Sequence, residues 1–293
     1  MDFKEFSETI KDKIQDKLGE QYQINTDRIL KNNSQHSQGL VINKEGNVVS
    51  PTIYLEYFYE QYSNGLPIEE VVEEILLSYG DAIKKQDDYN DIDSSFEGCK
   101  DNIIYRLISK EKNLELLKTI PYMEFCDLAI IFCTLVSISN NGIETIKITN
   151  SWLEQWGIEE SKLFDIACEN TLRLFPVKKQ SIFDIVKDYI PEEAKKEKKK
   201  SEMIVLTNDC GVNGASVILY KNVLEMLSSE LNSDLFILPS SIHETIIIKD
   251  NKAISREELK NMVYTINRSQ VSEEDYLSDS VYHFSLKDKC IRY

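Results

Sequence analysis

The chain has 293 residues, 50 of them acidic and 34 basic, for a formal net charge of −16, and 42% are hydrophobic. That is enough apolar material for one large or two ordinary domains with a sizeable core. The acidic balance argues against nucleic-acid phosphates or an anionic membrane surface as partners, because both need clustered Lys and Arg. No apolar run approaches the roughly 18 residues of a membrane span.

The N-terminal stretch places Phe3, Phe6, Ile10, Ile14 and Leu18 on one face of a charged amphipathic helix, unlike a signal peptide. Residues 21–30 and 39–42 have β character around a polar tip at 31–36, which predicts a hairpin, and 43–47 is a loop. From Thr52 an aromatic helix carries Ile53, Tyr54, Tyr57, Phe58 and Tyr62 and ends at Asn64-Gly65. Pro67 opens the next helix. Its stripe is Ile68, Val71, Val72, Ile75, Leu76 and Tyr79, with Glu69, Glu70, Glu73 and Glu74 opposite. Residues 86–97 are acidic and read as a loop. They fail as a calcium loop, since counting from Asp88 puts Ile92 and Asp93 where a ligand and a glycine belong.

A strand is expected at 102–108, a helical turn at 113–117, and one long buried strand over 121–138. Ser139-Asn140-Asn141-Gly142 is a hairpin turn that returns through 143–148. Lys147–Pro176 is the best-specified stretch. Thr149, Asn150 and Ser151 offer capping oxygens, and Ser151 with Glu154 has capping-box spacing. Trp152, Leu153 and Trp156 make a short helix that Gly157 closes. A second helix runs from Glu159-Glu160 to Pro176. The two tryptophans serve either as core anchors or as an aromatic contact surface. A short helix follows at 181–189. Residues 191–200, with five Lys and three Glu, form the linker candidate.

Beyond the linker, strands are expected at 203–207, 215–219, 235–238, 245–248 and 280–286, with helices at 222–231 and from Ser255 to about Arg268. The pattern predicts an α+β fold of two antiparallel or mixed sheet-plus-helix halves, joined through the helical segment at 147–176. The expected domains are 1–190, a charged linker at 191–200, and 201–293. The six cysteines (99, 126, 133, 168, 210 and 290) form no CxxC pair and read as reduced thiols of a cytoplasmic protein.

Several stretches carry a resemblance: PTIYLEYFYEQYSNG at 51–65, NLELL and DLAIIF within 113–132, ITNSWLEQWGI at 148–158, ACENTLRLFP at 167–176, VLTND and GASVILY within 205–220, LFILPSSIHE at 235–244 and LSDSVYHF at 277–284. Over nearly its whole length the chain resembles a domain-of-unknown-function family of uncharacterised proteins from anaerobic Gram-positive bacteria. More distantly it is similar to a second uncharacterised bacterial family. The resemblance implies a soluble intracellular protein and brings no catalytic residue with it.

The residues offer one chemical constellation, split between the turns at 207–214 and 239–244. Cys210 and His243 would be a thiol nucleophile and its base, Asp209 or Glu244 would orient the imidazole, and Ser240 or Ser241 would replace the thiol. The same residues are ordinary turn formers. The three histidines, His36, His243 and His283, lack metal-ligand spacing, so no metal is expected. No phosphate-cradling glycine loop or GxSxG elbow is present, and no cofactor is expected. The favoured expectation is a non-catalytic protein- or peptide-binding module, with Trp152 and Trp156 as candidate contact residues. A hydrolase or thiol enzyme built on the two turns is the competing one.

Overall fold

The computed structural model describes residues 1–44, 52–90, 93–139, 142–186 and 203–293. The expected linker at 191–200 lies outside these residues, as do 45–47 of the expected loop, Asn140-Asn141 of the hairpin turn, and 187–189 of the short helix. The chain forms two compact α+β units, Met1–Ser94 and Ser95–Tyr293. The contacts therefore divide at residue 94. On both sides of 191–200 the chain contributes strands to one sheet.

In the first unit, β1 (Tyr22–Leu30), β2 (His36–Lys44) and β3 (Thr52–Tyr54) form an antiparallel meander. Helices α1 (Phe3–Leu18), α2 (Leu55–Ser63) and α3 (Ile68–Asn90) share a core with it. The four-residue spacing of Phe6, Ile10 and Ile14 buries all three fully against Leu40, Leu55 and Ile75. Asp2 and Glu5 cap α1 reciprocally, at 2.8 and 3.1 Å. The α3 stripe buries Val71, Val72, Ile75 and Tyr79 as its periodicity requires. That helix continues to Asn90, through part of what reads as an acidic loop. The expected aromatic helix begins only at Leu55, because Thr52–Tyr54 pair with β2.

The second unit holds two antiparallel sheets. In the smaller one, β6 (Leu128–Ser139) pairs with β4 (Ile103–Ser109), β5 (Tyr122–Phe125) and β7 (Gly142–Lys147). The larger has the order β13-β12-β10-β11-β9-β8. Its strands are β8 (Val177–Ser181), β9 (Met203–Asn208), β10 (Leu235–Leu238), β11 (Thr245–Lys249), β12 (Tyr282–Ser285) and β13 (Cys290–Arg292). The helices are α4 (Phe96–Cys99), α5 (Asn150–Trp156), α6 (Glu160–Leu174), α7 (Ile182–Val186), α8 (Val223–Leu231) and α9 (Arg256–Gln270).

Strand alternation builds the main core. Ile103, Tyr105 and Leu107 of β4 join Leu128, Ile130 and Phe132 of β6, Leu235 and Ile237 of β10, and Leu163 and Ala167 of α6. On the other face of the larger sheet, Phe236, Leu238 and Ile248 pack against Leu259 and Val263 of α9. Outward N–H groups of β4 are taken up by side chains: Tyr105 donates to Thr171 Oγ1 (3.1 Å) and Leu107 to Ser216 Oγ (3.3 Å).

Three expectations are corrected here. The long strand over 121–138 is a hairpin, β5 and β6, whose two-residue turn Cys126-Asp127 has Cys126 at φ 56°. The expected strand at 215–219 is a 3-10 helix, Gly214–Leu219, lying along β9. The cap of α5 is Thr149, whose hydroxyl accepts from Trp152 N–H at 3.4 Å, while Ser151 bonds the Thr149 hydroxyl. Gly157 closes α5 in the left-handed region, as its position predicts.

The turn at Asp127 is fastened from far along the chain. Ser278 and Ser280 hydroxyls donate to Asp127 Oδ2 at 2.6 and 2.9 Å, and the fully buried Tyr282 hydroxyl donates to Oδ1. A carboxylate acceptor makes these bonds stronger than neutral ones. Tyr282→Phe is expected to lower unfolding stability by about 1–2 kcal/mol, and Asp127→Ala by more, because it orphans several donors at once. Urea denaturation of the two variants checks this. Equal midpoints for wild type and Asp127→Ala would contradict it.

Candidate functional site

The turns at 207–214 and 239–244 converge. Thr207, at the end of β9, donates its hydroxyl to His243 O at 2.7 Å, and Ala215 N–H donates to Ile242 O at 3.1 Å. Gly214 is what permits the approach. A Cβ there would sit 2.0 Å from Thr207 Oγ1 and 2.4 Å from His243 O, too close for any other residue. On its far side the 239–244 turn is held by the segment after α9. Ile242 N–H donates to Asp275 O (2.8 Å), Leu277 N–H to Ser240 O (3.0 Å) and Ser278 N–H to Pro239 O (3.1 Å).

At the centre, the backbone N–H of Asn213 donates to His243 Nδ1 at 3.3 Å, and Nε2 lies 3.0 Å from Asp275 Oδ1. With Nδ1 accepting, the imidazole proton sits on Nε2, facing the carboxylate. Asp275 is itself oriented by Ser272, whose hydroxyl donates to Oδ2 at 2.7 Å. The His–Asp pair of a hydrolytic triad is present in form, yet the nitrogen that would serve a nucleophile is occupied by a backbone amide.

The remaining sequence candidates surround this pair unevenly. Cys210 is exposed, and among the described residues no hydrogen bond joins it to His243. Asp209 is exposed, and its backbone N–H bonds Pro176 O at 3.0 Å. Ser240 is buried, and the Ser241 hydroxyl accepts from His243 N–H at 3.0 Å. Burial pushes the Glu244 carboxyl above the usual carboxylate range, against the opposing pull of His243 and Ser241. Sequence reasoning paired His243 with Asp209 or Glu244. It missed Asp275, which lies 32 residues downstream in a loop with no spacing signal.

His283 contacts Asp250 at 3.3 Å and Asp234 at 3.8 Å, and Asp279 accepts from Asn267 and Arg268. Among the described residues, no group of three or more His, Cys, Asp or Glu is placed to hold a metal ion. No helix among them is long and apolar enough to cross a membrane. Trp152 and Trp156 are half-buried against the main core, with ring centroids 5.5 Å apart and Trp156 5.8 Å from Phe96. An open groove of about 360 Å³ lies elsewhere, floored by Phe125, Leu219, Leu224, Phe284 and Ile291 and crossed by the Glu225–Lys289 ion pair.

The chain belongs to a family of unknown function, DUF5688, whose model matches residues 3–286. No curated protein and no solved structure matches it.

Because its folded pKa is raised, Glu244 supports the fold while protonated, and that contribution is lost as pH rises through the raised value. Glu244→Gln is therefore expected to match wild type at acid pH and to exceed it in stability from the upper carboxylate range to neutrality. Melting curves across that range test this, and a Gln variant less stable at neutral pH would refute it. The thiols are expected to separate as clearly. Exposed Cys210 should react first with a thiol reagent at neutral pH, ahead of Cys126 and Cys168, whose burial lifts both to about 11. Labelling followed by mass spectrometry reads the order directly.

Proposed function

We propose that this DUF5688 member is a non-catalytic module that binds a protein or peptide partner in the bacterial cytoplasm. The observation that carries the reading is the engagement of both ring nitrogens of His243 by the fold, which leaves the imidazole no lone pair to activate Cys210 or Ser240. The contact surface in this reading is the open groove beside β13. That strand stands at the edge of the larger sheet, and the groove is lined by apolar side chains together with the Glu225–Lys289 ion pair. The inward packing of Trp152 and Trp156 against the core supports the groove over those two rings. A net charge of −16 supports a partner other than nucleic acid.

A hydrolase or thiol enzyme is the second reading, and the convergence of the two turns on a His–Asp pair favours it. One set of variants separates the two. Affinity capture with quantitative mass spectrometry should return a partner from wild type and from Cys210→Ala, with at least about tenfold less from Ile291→Glu, the scale of one lost interface anchor. A hydrolytic or thiol-dependent activity that disappears in Cys210→Ala, together with capture insensitive to Ile291→Glu, would overturn the binding reading.

A further inference from the structure

Among the described residues, two cations on one face of the smaller sheet stand without a counter-charge. Arg106 of β4 pairs in register with Ile131 of β6, and Lys147 of β7 pairs with Cys133, two residues further along β6. Side chains two apart on a strand share a face, so the guanidinium and the ammonium project from the same side, diagonally across β6. Among the described residues neither has an ion pair or a hydrogen bond, although most of the chain's charge is acidic. Arg106 Nε is buried with no partner, while the terminal nitrogens of Arg106 and Lys147 Nζ are not shut off from solvent.

A second observation lies beside Arg106. Asn208 is 3% exposed, and its Oδ1 is also buried and unpartnered. Asn208 and Arg106 line one small cavity of about 20 Å³, together with Thr145, Asn213 and Ser216. That space is about the size of a single water. The outer edge of the guanidinium remains free for a ligand.

We propose that Arg106 and Lys147 form a binding site for a small oxyanion, a phosphate or carboxylate group held between the guanidinium fork and the ammonium. Planar guanidinium donors match the oxygen spacing of such groups, and the ammonium adds a point charge beside them. Two half-buried like charges raise each other's energy, and an anion between them removes that cost. Burial, and Arg106 after it, hold the Lys147 ammonium below its usual pKa, as expected of a cation that lacks a partner. The inference is independent of the groove and of the His243 turn.

The full chain is titrated with sodium phosphate and, separately, sodium acetate, against sodium chloride at matched ionic strength. At a hundredfold excess over Kd the melting temperature is expected to rise by about 5 °C or more, with saturation, for phosphate or acetate but not chloride. The arm that saturates at lower concentration identifies the oxyanion. Lys147→Met keeps the aliphatic stem and removes the charge. It is expected to melt above wild type in chloride and to lose at least about tenfold in oxyanion affinity. Should that variant fail to fold, amine-labelling of wild-type Lys147 gives the same answer, with protection expected in the presence of phosphate or acetate. No saturable shift beyond chloride in wild type, an undiminished shift in a folded Lys147→Met, or unprotected Lys147 would overturn the site.

Discussion

Asp127 is the point on which the second unit depends. A carboxylate in a two-residue turn would ordinarily face water. Here it accepts from three hydroxyls, those of Ser278, Ser280 and Tyr282, which reach it from more than 150 residues away. Ser278 and Ser280 lie on a strap between α9 and β12, and Tyr282 opens β12. Asp279 holds Asn267 and Arg268 of α9, at 2.7 and 3.0 Å, and Asp275 holds His243. The strap thus joins the β5–β6 hairpin, the β10–β11 turn and the α9 helix. Removing Asp127 breaks the link to the β5–β6 hairpin and leaves three hydroxyls without their acceptor, which costs the fold directly.

The His243 turn shows how similar groups serve structure or chemistry according to what occupies their lone pairs. An imidazole beside a carboxylate is the raw material of a general base. With Nδ1 filled by a backbone amide, the ring instead becomes a peg that fixes the 207–214 segment to the strap. Gly214 completes the joint by letting the two backbones approach more closely than a side chain allows. Arg106 and Lys147 present the opposite case, with donors in place and, among the described residues, no side-chain acceptor bound to them.

Much of this was legible from local pattern. The periodic stripes of α1 and α3, the Ser255–Glu258 capping box of α9 and the left-handed Gly157 all express rules that act within a few residues, and each is realised. The misreadings occur where a distant contact decides. The run from 121 to 138 is mostly apolar and rich in β-formers, with neither glycine nor asparagine near Cys126-Asp127 to mark a turn. The turn is held by Ser278, Ser280 and Tyr282. Residues 215–219 have strand composition, yet Gly214 is pinned against Thr207 and His243 and the chain coils there. At the candidate site the sequence identified two turns that do meet. It could not supply Asp275, whose role depends entirely on the fold.

The strand order of the larger sheet bears on how the chain is made. Synthesis proceeds from the N-terminus, and the first unit draws all its strands and helices from the first 94 residues, so its partners are together early. The second unit has no such independence. β10, at the interior of its sheet, pairs with β12, and the Asp127 turn waits for Ser278, Ser280 and Tyr282. Closing this unit requires contacts of long sequence separation, which form slowly. The second unit is therefore closed by contacts between segments far apart in the chain, whereas the first is closed within its own 94 residues.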